Sequence, residues 1–212
     1  SHTDNVEQPF KFFVIDNPTI NAFAGPGGMI GINSGVILNS GNESELAGVI
    51  AHEIAHVTQR HLARNFEEAK KYSLPTAAAM IGALIIATQD PAAGQAAITG
   101  IAGLSIQNQI NFTRENEEEA DRIGISLLAK AGYDPRGMPL FFEKLQKLSK
   151  FSQSNAPDFT RTHPLTTSRI ADTRARAESF PEKSFRNSHA YELIRHKLLV
   201  NALQTPKEAI LF

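Results

Sequence analysis

The pentapeptide His52-Glu53-Ile54-Ala55-His56 restricts the chain more than any other stretch, because its chemistry needs a helix. At about 100° per residue, His52 and His56 fall about 40° apart on one helical face. Two imidazoles one turn apart can grip a single metal ion. Glu53 lies beside that face and can reach a water held by the same ion. The flanking residues agree with a helix. Leu46, Val49, Ile50 and Ile54 recur at helical spacing, so a half-buried helix is expected. Asn39, Ser40 and Asn42 are N-cap candidates ahead of it. The bland alternative is a solvated helix carrying two histidines by chance.

A zinc peptidase site takes a third protein ligand and leaves the fourth position to water. His61 follows His52 by nine residues, about 900° on a continuous helix, so it points the opposite way and is expected to be structural or solvent-exposed. The metzincin spacing is absent after His56. The other candidate is Glu115-Asn116-Glu117-Glu118-Glu119-Ala120-Asp121. It opens a segment in which Ala120, Ile123, Leu127 and Leu128 form one apolar stripe. Glu117 and Asp121 stand one turn apart on one face. A carboxylate ligand followed by an aspartate has a mechanical logic: the aspartate can accept the second N–H of a metal-bound histidine and fix its tautomer. Glu115 and Glu118 suit a solvated acidic helix start, favoured by the helix dipole.

These motifs resemble the gluzincin family that includes HtpX, the Oma-type proteases and the CAAX prenyl endopeptidases, most nearly its soluble, envelope-located BepA-like branch. The resemblance covers nearly the whole chain. It rests on Asn21-Ala22-Phe23-Ala24 with Pro26-Gly27-Gly28, on His52-Glu53-x-x-His56, on Glu117-x-Glu119-Ala120-Asp121, and on Thr162-His163-Pro164 with Arg169. It implies one Zn2+ per chain held by His52, His56 and Glu117, with Glu53 as general base and Asp121 as the partner of a ligating histidine. It also implies a periplasmic or cell-envelope location in a bacterium. The implied fold is α+β and mostly helical, zincin-like, with a small sheet whose edge strand lies beside the zinc helix and with a helical hairpin insertion.

Composition bounds the alternatives. A chain of 212 residues is long enough for one domain with a real core, and residues 1–212 are expected to form a single catalytic domain. A net charge of −1 gives no footprint for nucleic acid or for bulk electrostatic membrane binding. The absence of cysteine removes disulfides, thiolate zinc sites and cysteine nucleophiles together. The chain starts Ser1-His2 without methionine, as expected of a processed or trimmed form.

Residues 11–16 read as a strand, Asn21 to Phe23 as a short second one, 25–28 as a turn, and Met29 to Ile37 as a strand with a glycine-softened hairpin. An edge strand at Asn21 to Ala24 could pair with an extended substrate peptide through main-chain hydrogen bonds. Leu74–Thr88 and Ala92–Ile106 are apolar halves broken by Thr88-Gln89-Asp90-Pro91. Each is about 15 residues, shorter than the roughly 20 of a standard span. Segment 74–106 is therefore either a buried helical hairpin, or a mobile lid or an element that faces a membrane or partner. A helix is expected after Pro135 through Phe141, Phe142, Leu145 and Leu148. A polar loop follows over 149–168, then helices over 168–179 and 189–203.

His163, in that loop, is the candidate second catalytic group. It could stabilise the oxyanion, fill the fourth zinc position in a resting state, or merely cap Asp172 or a backbone group. Arg169 is expected to order the same loop through a salt bridge to Asp121 or another nearby acid. The leading function is a zinc endopeptidase acting on protein or peptide substrates in envelope quality control. The alternative is a chaperone or assembly factor with a largely latent peptidase site. A structural or storage zinc module would leave Glu53 without a purpose.

Overall fold

A mixed three-stranded sheet and eight helices are built from the described residues 9–151, 156–182 and 184–202 of the computed structural model. The sheet order is β1 (Lys11–Ile15), β3 (Met29–Asn33), β2 (Ala22–Gly25). β1 runs parallel to β3, with Phe13 opposite Gly31, and β2 runs antiparallel to it, with Phe23 opposite the same glycine. The turn between β2 and β3 falls at Pro26–Gly28, where Gly27 and Gly28 take φ of 72° and 76°, a region that favours glycine. β2 is an edge strand, and α2 packs against it.

The strand expected to run on to Ile37 stops at Asn33. A short helix α1 (Ser34–Asn39) replaces the hairpin. Tertiary contacts decide this. Asn17 N–H donates to Ser34 Oγ at 3.0 Å, and Gly35 N–H donates to the Asn17 carbonyl at 3.0 Å. The turn buries Val36 and Ile37 in the core.

α2 (Glu43–Thr58) begins on a reciprocal cap. Asn42 Oδ1 accepts from Glu45 N–H at 2.9 Å, while the Glu45 carboxylate accepts from Gly41 N–H and Lys144 Nζ, each at 2.7 Å. α2 does not continue to His61, as a single unbroken helix would require. It ends at Thr58, and Arg60 takes a left-handed conformation with φ of 54°. His61 instead opens α3 (His61–Gln89) and is buried there.

Two compact units emerge: residues 1–58 with 119–212, and residues 59–118. The first holds the sheet, α1, α2, the end of α4 (Pro91–Lys130), α5 (Gly137–Phe151), α6 (Asp158–Thr162), α7 (Thr167–Glu178) and α8 (His189–Ala202). Its core joins Ile30 and Ile32 of β3, Val49 of α2, Ile125 of α4 and Met138, Phe141, Phe142 and Leu145 of α5. The second unit is the antiparallel pair α3 and the first part of α4, broken at Asp90. The hairpin is helical as expected, but it is longer than the two 15-residue halves, and its apolar face is not buried. Leu74, Ile81, Leu84, Ile85 and Leu104 are all exposed. The acidic run 115–121 sits well inside α4, so no helix start explains it. The expected loop 149–168 is shortened by α5, which reaches Phe151, and by α6. Its residues 152–155, and Leu203 at the end of the last expected helix, lie outside the described residues.

Gly137 lets α5 start flush against α2: a Cβ there would overlap the Ser44 carbonyl. Gly137→Ala sets two effects against each other. Helix propensity alone would stabilise by up to about 1 kcal/mol. Overpacking against rigid backbone costs about 1–3 kcal/mol. The expected result is a net loss on urea unfolding; a more stable variant would mean that this helix contact yields freely.

Candidate metal centre

Buried polar groups cluster where α2 faces α4, α6 and α7. His52 and His56 project from one face of α2 as the i, i+4 spacing requires, with ring centroids 4.6 Å apart. His52 is fully buried among aromatic rings: Phe142 of α5 and Phe159 of α6 each lie at 6.1 Å. The backbone of α4 approaches closely because Gly124 leaves room; a Cβ there would stand 3.2 Å from His52 N.

Asp121 orients the histidine. Its carboxylate lies 3.0 Å from His52 Nδ1 and accepts two bonds of 2.8 Å from Arg169, one from Nε and one from a terminal nitrogen. Burial by itself raises the Asp121 carboxyl. The hydrogen bonds from His52 and Arg169, together with the Arg169 charge, outweigh burial and hold it below the usual carboxylate range. With Nδ1–H donating to Asp121, the His52 lone pair is left on Nε2, which points into the cluster. The remaining Arg169 terminal nitrogen donates to the Pro164 carbonyl at 2.8 Å, and the Arg169 guanidinium rests over Phe142 at 5.4 Å.

His163 follows α6 as its C-cap. Its N–H donates to the Phe159 carbonyl at 2.8 Å, and its ring stacks on that of Phe159 at 4.5 Å. Its Nδ1 is 3.2 Å from His52 Nε2, and His56 Nε2 is 2.9 Å from the same atom. Glu117, buried one helical turn before Asp121, completes the group: one donor atom each from His52, His56, Glu117 and His163 all lie within 4.8 Å of one another. Asp172, the alternative partner for His163, is bonded to Arg176 at 2.6 Å.

The donor set fits a metal ion. Ligands on a tetrahedral zinc at about 2.0–2.1 Å lie about 3.3 Å apart, close to the nitrogen separations seen. At such distances neutral rings either share a cation or hydrogen-bond through one ring's N–H, while protonated rings repel. Imidazole with carboxylate, and no sulfur, is a zinc donor set. Glu53 is fully buried, and neither of its carboxylate oxygens accepts a hydrogen bond among the described residues; His163 Nε2 lies 3.5 Å from one of them. Buried carboxylates are rarely left so, and such groups cluster at functional sites.

Some expected residues fall outside the group. His61 is buried but is not one of the four donors. Glu115 and Glu118 face solvent on α4. Asn21 continues the ladder by accepting from Asn33 N–H at 3.0 Å; Ala22 is buried, while Phe23 is exposed on the sheet. Sequence reasoning did not name Phe159 and Phe142 as the aromatic walls. The i, i+4 spacing of Phe159 and His163 was the available signal, and it was hidden because the stretch reads as a polar loop.

A family model described as Peptidase family M48 matches residues 2–177. The chain is 48% identical over 196 residues to a putative beta-barrel assembly-enhancing protease of Vibrio cholerae, covering 92% of this chain and 40% of that protein. It is 44% identical over 199 residues to the beta-barrel assembly-enhancing protease of Escherichia coli K12, covering 94% and 41%. Similarity extends to the mitochondrial metalloendopeptidase OMA1 of Arabidopsis thaliana, 31% identical over 174 residues, covering 77% and 30%. The chain thus spans about two fifths of the length of the two bacterial relatives.

Arg169→Lys keeps the charge but loses the paired donors and the bond to Pro164. Chelator competition should show zinc affinity lowered about 10–100-fold, with the far-UV spectrum unchanged. Wild-type affinity in the variant would remove Asp121 and Arg169 from the support of the metal site.

Proposed function

The chain belongs to peptidase family M48, and on that premise we propose that residues 1–212 act as the single catalytic domain of a zinc-dependent endopeptidase. The observation that carries this reading is the convergence of His52, His56, Glu117 and His163 beside the buried carboxylate of Glu53. In this reading His52, His56 and Glu117 hold the ion, and Asp121 and Arg169 orient the first of them. When bound, zinc makes a water acidic and polarises a carbonyl oxygen. Glu53 takes the proton of the attacking water and passes it to the leaving amine. Its burial beside the metal face suits that role, since neither oxygen accepts a hydrogen bond among the described residues.

Substrates are proteins or peptides. The edge strand β2, extended by Asn21, packs on α2 and offers main-chain groups to an extended peptide; Asn21, Ala22, Phe23 and Ala24 are the proposed contacts. The relatives' names point to β-barrel assembly. Closed barrels are a spanning form of outer membranes, which supports quality control of envelope proteins as the role and the periplasm or cell envelope as the location. Segment 74–106 is the proposed contact with a membrane or membrane protein, and the net charge of −1 offers nothing to nucleic acid.

One observation favours the second reading, an assembly factor with a latent peptidase site. His163 Nδ1 stands among the donors at 3.2 Å from His52 Nε2. A fourth protein ligand would close the site to water. His163 is then a resting-state ligand that substrate displaces, and not an oxyanion stabiliser.

Metal analysis with casein cleavage, with and without chelator, tests the reading. Glu53→Gln should bind zinc and fold as the parent does while cleavage falls by about 10²–10⁴-fold; loss of zinc in that variant would make Glu53 a ligand and overturn its assignment. His163→Ala separates the two roles by sign. Basal cleavage rises if the side chain closes the site, and falls at unchanged zinc content if it stabilises the oxyanion.

A further inference from the structure

We propose that the hairpin formed by α3 and the first part of α4 inserts tip-first into the hydrocarbon layer of a lipid bilayer, both helix bases staying in one headgroup region. This deepens the membrane-directed reading of 74–106 given above and does not depend on the peptidase chemistry.

The charge pattern is the first observation. Between Lys71 and Arg114 the only charged side chain is Asp90, and Asp90 is at the tip. Both arms are free of charge up to the tip, α3 from Tyr72 and the start of α4 back from Thr113. The stretch from Tyr72 to Gln89 rises about 27 Å at 1.5 Å per residue, close to the roughly 30 Å of a bilayer hydrocarbon core. Asp90 would then sit near the far headgroups. Lys70, Lys71 and Tyr72 mark where the charge-free part of α3 begins, and Phe112 and Arg114 where that of α4 ends. Lys71 lies 3.8 Å from Glu68, so the base mixes basic, acidic and aromatic groups, and its Tyr72 and Lys71 are residue types that anchor helices at a membrane surface.

The second observation is exposure. Among the described residues, α3 is the helix long and apolar enough to cross a membrane, and only 6% of that stretch is buried. A core helix of a soluble protein would be mostly buried, and a signal sequence would stand at the N-terminus; this helix does neither. Ile81, Leu84 and Ile85 make an outward i, i+3, i+4 stripe, and Leu104 and Ile106 are exposed on the other arm.

The third is the state of the backbone. A bilayer favours chains whose polar backbone groups are satisfied internally, and the N–H groups at the exposed tip are so satisfied. Asp90 N–H donates to the Ile86 carbonyl at 2.9 Å, Gly94 N–H to the Asp90 carbonyl at 2.9 Å, and Asp90 Oδ1 accepts from both Ala92 N–H and Ala93 N–H at 3.0 Å. Gly94 packs directly on Ala87, which closes the tip without a polar gap. The Thr88 and Thr99 hydroxyls are turned back onto helix carbonyls at 2.7 and 2.9 Å. Pro75, the residue in α3 without an N–H, lies near the base.

The chain contains no tryptophan, so Leu84→Trp supplies a single depth reporter at an exposed position. The full chain carrying this reporter is floated with vesicles of uncharged phosphatidylcholine. The expected result is co-flotation that survives about 0.5 M salt, where screening shrinks the Debye length to about 4 Å. The indole emission should shift to the blue and be quenched by bromine on the acyl chains. Ile81→Asp with Ile85→Asp should weaken flotation at least about a hundredfold while circular dichroism, zinc content and casein cleavage stay as in the parent. Failure of the parent to float would overturn the proposal, as would binding confined to anionic vesicles at low salt. So would a blue shift of the indole already complete without lipid, which would mean that a second copy covers the stripe. A parent that floats but never cleaves casein would sink the peptidase reading alone.

Discussion

The carboxylate of Asp121 is the interaction on which the rest of the metal centre depends. It is buried, and it binds His52 of α2 on one side and Arg169 of α7 on the other. Arg169 in turn holds the Pro164 carbonyl, next to His163. One acid therefore fixes the tautomer of a metal-facing imidazole, ties three helices together and anchors the segment that carries the fourth donor. A buried ion pair is not by itself a source of stability, because desolvation offsets most of the attraction. Its use here is placement. Breaking it on one side leaves an uncompensated buried charge, which costs about 3–5 kcal/mol, so alternative packings of α2, α4 and α7 are strongly disfavoured.

How much of this the sequence showed depended on the range of the forces involved. The His52-Glu53-x-x-His56 helix and its Asn42 cap were legible because they are set by spacing along one helix and by neighbours three residues away. Glu117 and Asp121 were legible as a pair for the same reason, and their distance from α2 was not. The misread elements were all decided by contacts remote in sequence. Ser34 and Gly35 turn into α1 because Asn17 receives and offers the hydrogen bonds there. Arg60 ends α2 in a conformation that a glycine would have signalled and an arginine does not. The hairpin was misjudged in length because the polar residues flanking the apolar cores, such as Ser105 to Thr113, have good helical continuity without hydrophobic periodicity.

The four metal-facing donors differ in how firmly they are held, and this gives the site its asymmetry. His52 and His56 are rungs of a sixteen-residue helix, and Glu117 lies deep within one of forty. His163 ends a helix of five residues, and its ring stacks on that of Phe159 between His52 and Glu53. Ring stacking of this kind contributes about 0.5–1.5 kcal/mol beyond area burial, which is small beside the binding of a substrate. Of the four donors, His163 is the one carried by a short helix, which is why His163→Ala is the substitution that separates the two roles proposed for it.

The same contrast separates the two compact units. Around Asp121 the chain buries charge beside specific partners, as in the paired Nε and terminal-nitrogen bonds of Arg169. Along α3 and the start of α4 it does the reverse: charge is withdrawn to the base and the tip, apolar side chains are left outside, and backbone groups are closed internally. Each arrangement is expensive in the other's surroundings. A charge-free exposed hairpin is an aggregation hazard in water, and a hub of buried ions would be unstable without its shell of protein donors. The two arrangements occur in one chain, joined through the single continuous helix α4, and the contrast between them is the physical ground for the bilayer proposal.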